Sequence, residues 1–194
     1  MKAIAITYRE ESSLRERAMM WLLGNVVTVH AKVYRHRPIW GLKREDMLRY
    51  PTGSLGHELG LFLTRENLQP VERIERHDAF HILLDFETTL DDEAAMLCFL
   101  VANGKNSPFT LAATLLLVLA MPDKWGLFIP AFRRGRQALS IANWNFLQLL
   151  DEPFADVKAV IFHQPVQNER LLGKIPQFQK AVAKEDADAY RVGP

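Results

Sequence analysis

The stretch RHDAFHILLDFETTLDDEA, Arg76 to Ala94, sets two histidines among a run of carboxylates. On an α-helix each residue advances by about 100°, so His77, Asp78 and His81 fall at 0°, about 100° and about 40°. Three candidate ligands therefore point to one side of a single helix, within about one turn. The HExxH motif holds zinc by the same i, i+4 placement of two imidazoles. Here the acid stands beside the first histidine, where Asp78 could ligate a metal or act as a general base. Glu93 stands twelve residues after His81, and an antiparallel neighbouring helix would bring it in as a fourth ligand. Two imidazoles and two carboxylates form a borderline-to-hard set, suited to one divalent ion of zinc, iron, manganese or cobalt. The same residues also read as the polar edge of two ordinary helices. HxxxH arises by chance, and the nearby Asp85, Glu87, Asp91 and Asp92 suit a solvated helix corner, where some favour the helix N-terminus.

The elements that must position this set are all helical. Pro70 opens a helix expected over about Val71 to Phe86, and the ETT corner offers Thr89 as N-cap, with Asp92 three residues on, for a helix from Leu90 to Ala102. Upstream, Ser12 or Ser13 caps a long helix through about Tyr34, and LKREDMLRY makes a short helix stopped by Pro51. Ser54 caps a third, in which Leu55, Leu59, Phe62 and Leu63 form a core-facing stripe. Downstream comes the apolar segment Phe109 to Met121, then a turn through Pro130, then a last helical pair broken near DEPF. VKAVIF reads as a strand or a helical turn. No glycine-rich phosphate loop follows a strand, and no repeat is present. The expected fold is all-α: one helical domain over residues 1–164, with a metal site between two consecutive helices, and a peripheral polar tail over residues 165–194.

Composition narrows the function. The chain has 194 residues, 48% hydrophobic and 24% charged, enough for one domain with a sizeable core. With 24 Lys+Arg against 23 Asp+Glu there is no electrostatic case for nucleic acid. Cys98 is the single cysteine, so an internal disulfide and a zinc ribbon are both excluded. The N-terminus carries Glu10, Glu11 and Glu16 and lacks the pattern of a cleaved leader. The longest apolar run has 13 residues, whereas crossing a bilayer takes about 20. That run is a buried core helix or a segment that touches a membrane. The expected location is cytoplasmic, with at most peripheral attachment at the inner face of the membrane. A homodimer fits equally well.

His77-Asp78, two residues, His81, eleven residues and Glu93 resemble the HDxxH…Glu signature of the coenzyme Q biosynthesis protein 4 family. RPIWGLKREDMLRYPTGSLGHELGLFL is similar to that family's upstream block, and FIPAFRRGRQALSIANWNFLQLLDEPFADVK to its downstream block. The three blocks run in order over about Arg37 to Lys158. Leu59 stands where the family often has an aromatic residue, and Ala79 where a bulky one is common; neither change removes a ligand. The resemblance implies a ubiquinone-biosynthesis protein with His77, Asp78, His81 and Glu93 on a metal. Members are tied to removing the ring carboxylate of a polyprenylated quinone precursor and hydroxylating that carbon, and to organising other quinone-biosynthesis enzymes. Arg133, Arg134 and Arg136 would then meet a ring carboxylate, an isoprenoid phosphate or anionic lipid, or else form a solvated helix end. The apolar segment would line an isoprenoid slot or lie in the core. His36 and His57 are incidental on this reading, and Cys98 is a small buried apolar residue. Two alternatives share the histidines. One is a non-catalytic isoprenoid-binding scaffold with a structural metal. The other is an HD-type phosphohydrolase, which would need a further upstream histidine and a downstream aspartate and has no use for Glu93.

Overall fold

The computed structural model describes residues 39–180, with residues 14 and 17–19 besides. All but those four positions of the helix expected up to Tyr34 lie outside the described residues, as does His36. The described chain is all-α, without a strand. Its helices are α1 (Arg44–Met47), α2 (Leu55–Arg65), α3 (Glu75–Leu84), α4 (Leu90–Ala102), α5 (Pro108–Ala120), α6 (Trp125–Gln137) and α7 (Phe154–Ile161). VKAVIF is thus resolved as helix.

Capping residues mark the starts of three helices. The Ser54 side chain accepts from the His57 amide at α2, Thr89 from the Asp92 amide at α4, and Ser107 from the Thr110 amide at α5. At the start of α2, two further amides find remote carbonyls: Leu55 donates to Glu152 and Gly56 to Leu150, both at 2.8 Å. The upstream and downstream sequence blocks meet at this join. Glycine is required there twice. Gly53 has φ 79°, and a Cβ on Gly56 would stand 2.6 Å from the Tyr50 ring.

Leu55, Leu59, Phe62 and Leu63 of α2 are all buried, as the stripe predicts, and Phe80, Phe99 and Phe146 fill the centre of the core. α4 runs through the middle, packed against α3, α5 and α6. Its approach to α6 is close enough that a Cβ on Gly135 would lie 2.3 Å from the Phe99 carbonyl oxygen. Asn103, buried at the end of α4, donates to the Gly135 and Leu139 carbonyls and accepts from the Ile141 amide, fastening α4 to the end of α6. Cys98 is buried, and burial pushes its thiol up to about 11.

Four expectations change. α3 starts at Glu75 rather than near Val71, because Arg73 adopts φ 70° and interrupts the helical path. Pro130 does not turn the chain but lies within α6. The carbonyl it leaves without an amide partner belongs to Gly126, which is exposed to water. The segment from residue 165 is not wholly a peripheral tail. Asp156 accepts from the Gln167 and Asn168 amides, Asn168 donates to Glu152, and Leu171 and Ile175 are fully buried. Finally, α5 is not a plain core helix: only Thr110, Ala113 and Leu117 are buried along it.

Candidate metal centre

α3 carries His77, Asp78 and His81, and its buried side is made by Ala79, Phe80, Leu83 and Leu84. Arg76, one residue before His77, fixes this helix from outside. Its guanidinium donates to the Ile141 and Ala142 carbonyls and lies over the Phe80 and Phe146 rings. At the other end of α3 the chain turns through Asp85, in the left-handed region at φ 56°. Arg134 of α6 donates to the Leu84 carbonyl at 2.7 Å and pairs with Asp85, which Lys158 of α7 also meets. The Arg134 guanidinium lies over the Phe86, Phe99 and Phe162 rings. Residues far apart in sequence thus hold the corner that aims α4 at α3.

Across that corner Glu93 reaches both histidines. Its Oε2 lies 3.2 Å from His77 Nε2 and its Oε1 lies 3.2 Å from His81 Nε2. One ligand atom from each of the three residues falls within 4.8 Å of the others, a group able to hold a metal ion. His81 is buried and stacks on Phe62, while His77 meets it edge-on and is partly open to solvent.

The second nitrogen of His81 is already assigned. Nδ1 lies 3.0 Å from the Phe86 carbonyl, which can only accept, so Nδ1 carries a proton and Nε2 is the nitrogen turned to Glu93. The Phe86 amide in turn donates to the His81 carbonyl, which locks the two residues together. His77 shows a weaker form of the same pattern, with Nε2 toward Glu93 and Nδ1 3.9 Å from Asp78 Oδ1. Two Nε2 atoms turned to one carboxylate fit, once a metal displaces the proton between them, a divalent transition metal in the two-histidine, one-carboxylate pattern that leaves coordination positions for substrate.

Charge completes the description. Burial works against a charged His77, but the Glu93 charge, with the Asp78 and Glu93 carboxylates as acceptors for the ring N–H groups, outweighs it and raises His77 to about 9. Burial likewise opposes the Glu93 charge, yet the two imidazoles hold its carboxyl far below the usual range. Without metal, the centre is therefore an ion pair at neutral pH.

The residues expected from sequence separate into groups. His77, His81 and Glu93 come together, whereas Asp78 lies outside their group and faces His77 from behind. Asp91 pairs with Lys124. Asp92 serves the cap of α4, accepting from the Glu87 amide and the Thr89 hydroxyl. His57 does not join the cluster. Of the three arginines, Arg134 is engaged at the α3–α4 corner, while Arg133 and Arg136 are exposed. The Phe86 carbonyl and the Arg134 anchor escaped sequence reasoning. A backbone acceptor has no residue type to read, and only the aromatic residues at 86, 99 and 162 hinted at a buried cation.

No family model matches this chain. No curated protein matches it either. Among solved structures, a Nostoc punctiforme protein provisionally named a ubiquinone biosynthesis protein shares the fold, with a TM-score of 0.54 at 14% identity over 77% of this chain and 81% of that one.

Proposed function

We propose that this chain is a metal-dependent protein of ubiquinone biosynthesis, acting on a polyprenylated quinone precursor that still carries its ring carboxylate. The observation that carries the reading is the convergence of the His77 and His81 Nε2 atoms on the two oxygens of Glu93, with His81 Nδ1 fixed on the Phe86 carbonyl. The sequence blocks that resemble the coenzyme Q biosynthesis protein 4 family supply the substrate class, and the shared fold with the Nostoc protein supports that choice.

In this reading His77, His81 and Glu93 hold one divalent metal. When bound, the metal would supply Lewis acidity toward substrate oxygens and, if redox-active, a route by which the electrons of carboxylate removal and ring hydroxylation pass to dioxygen, the co-substrate that accepts them and supplies the oxygen atom. The chain's own residues do the rest. The Phe86 carbonyl keeps a proton on His81 Nδ1, and Asp78 faces His77 Nδ1, so it is Nε2 of each ring that is turned to the ion. Asp78 is partly accessible to solvent, so it is also the carboxylate placed to take a proton from a substrate lying over His77.

The test is to load the purified chain with iron, manganese, cobalt and zinc separately and to supply, with dioxygen, a polyprenylated quinone precursor that still carries its ring carboxylate. Loss of the carboxylate with a redox-active metal, abolished in Glu93→Gln, is expected. Tight stoichiometric metal with no turnover under any loading would assign the centre a structural role and the chain to the scaffold class.

A further inference from the structure

We propose that the outer face of α5 and α6 seats this protein on an anionic lipid bilayer. α5 contains no charged residue. The side turned away from its buried residues presents Leu111, Leu115, Leu116 and Leu119, with Leu115 61% and Leu119 65% exposed. A helix at a water interface normally places polar residues on that side. Here the whole outer surface is aliphatic, beyond the scatter of single apolar residues that any surface carries.

α6 continues the face in a different chemistry. Between Ala120 and Pro122 the chain bends by 94°, and Trp125, Ile129 and Phe132 of α6 are exposed. They follow the i, i+4, i+7 spacing of one helix side, and Arg133 and Arg136 fall at i+8 and i+11 of the same stripe. The Trp125 indole N–H donates to the Val118 carbonyl at 2.8 Å. Its polar atom is thus satisfied, and its ring can enter an apolar phase. Arg133 and Arg136 are exposed, and neither pairs with a carboxylate among the described residues.

The charges select the occupant. Residues 108–137 hold Asp123 as their one carboxylate, against Lys124, Arg133, Arg134 and Arg136. Lys124 is paired with Asp91 and Arg134 with Asp85, which leaves two arginines at the rim of an aliphatic surface. A two-fold contact would repeat this patch against itself and face arginine with arginine. An anionic bilayer supplies both the hydrocarbon and the missing negative charge. No single helix among the described residues is long and apolar enough to cross a membrane, and α5 and α6, which reach that length and apolarity only as a pair, are bent by 94°; the proposal lays their outer face on the bilayer surface. The Lys124–Asp91 pair fixes the α5–α6 bend to the first turn of α4, the turn that holds Glu93.

Vesicle flotation of the whole chain tests this independently of any metal. The protein should float with phosphatidylcholine–phosphatidylglycerol vesicles, far less with phosphatidylcholine alone, and high salt should release it. Arg133→Gln with Arg136→Gln should weaken partition onto the anionic vesicles roughly thirtyfold at low salt. Leu115→Glu with Leu119→Glu should abolish it with helicity and melting temperature unchanged, since both side chains are exposed. A wild-type chain that stays in solution with both vesicles overturns the proposal, as does binding that survives both double substitutions. So does a vesicle-inert dimer that Leu115→Glu with Leu119→Glu converts to monomer, because a second copy would then own the face.

Discussion

Because a metal can bind only neutral imidazole, the ion pair between His77 and Glu93 makes metal affinity depend on pH in a way that can be worked from the structure. In the metal-free chain His77 sits at about 9, so at neutral pH an incoming ion must displace its proton. Two units of displacement weaken apparent affinity about a hundredfold at pH 7, or about 3 kcal/mol. Affinity should therefore rise about tenfold per pH unit and level off near 9. Cobalt titrations followed by visible absorption, between about pH 6.5 and about pH 8.5, measure the slope. Calorimetry in buffers of different ionisation enthalpy should count close to one proton released per ion at neutral pH.

Thermal stability supplies the opposite sign as a check. His77 is raised on folding, so its contribution to the metal-free chain is complete below its ordinary value of 6.5 and is lost as pH climbs through about 9. Glu93 is lowered, so its contribution is present above its ordinary 4.5 and is lost in acid. The metal-free chain should be most stable between those ordinary values and soften toward alkaline pH. The loaded chain should gain on it over the same interval, because stabilisation by a bound ion grows with affinity. A cobalt affinity that is flat from neutral to mildly alkaline pH, with no proton released, would refute the assignment of His77 as a ligand.

Other expectations follow from the same contacts. Asp78→Asn should retain one metal per chain but weaken it about ten- to a hundredfold, as loss of a partner behind a ligating histidine does; complete loss of metal would make Asp78 a direct ligand. Glu93→Gln should cost far more affinity than Asp91→Asn, while Asp92→Asn should lower stability by about 1 kcal/mol through the α4 cap and leave affinity in place, all read by metal titration beside thermal melts. Gly135→Ala should destabilise by about 3 kcal/mol, since its new methyl meets the Phe99 carbonyl; a denaturant midpoint equal to wild type would contradict the close approach of α4 and α6. Arg134→Met should cost about 1–3 kcal/mol through the unpaired Leu84 carbonyl, the exposed contact with Asp85 adding little, and should weaken metal binding without touching a ligand, measured by the same titration.

Much of the site was legible because it depends on local geometry. The i, i+4 spacing of His77 and His81 needs only a helix, and Thr89 announces the start of the next one, so both the pair and the span of α4 follow from neighbouring residues. Ser54 and the stripe through Leu63 are readable for the same reason. Asp78 lies outside the group of three because a helical wheel gives direction but not reach. At about 100° from His77 it shares the quadrant, yet the Glu93 carboxylate fills the space toward which both Nε2 atoms turn. The apolar face of α5 illustrates a different limit. Periodicity identifies an amphipathic helix by its polar side, and α5 has none, so its sequence gives no sign of which face is buried.

The roles of the three arginines in FRRGR show how one short motif can serve both the fold and its surroundings. At successive or near-successive positions on α6 they diverge by about 100° per residue, so Arg134 turns to the α3–α4 corner while Arg133 and Arg136 stay on the exposed stripe. Gly135 between them has to be glycine because the same turn of helix presses on the Phe99 carbonyl. The segment therefore braces the corner that brings Glu93 to the histidines, sets the packing of α4, and carries charge at the edge of the apolar face. A single residue inserted before Arg133 would rotate all three functions by about 100° at once. It should disrupt the corner and the exposed stripe together, an outcome that point substitutions at Arg133 or Arg136 should not produce.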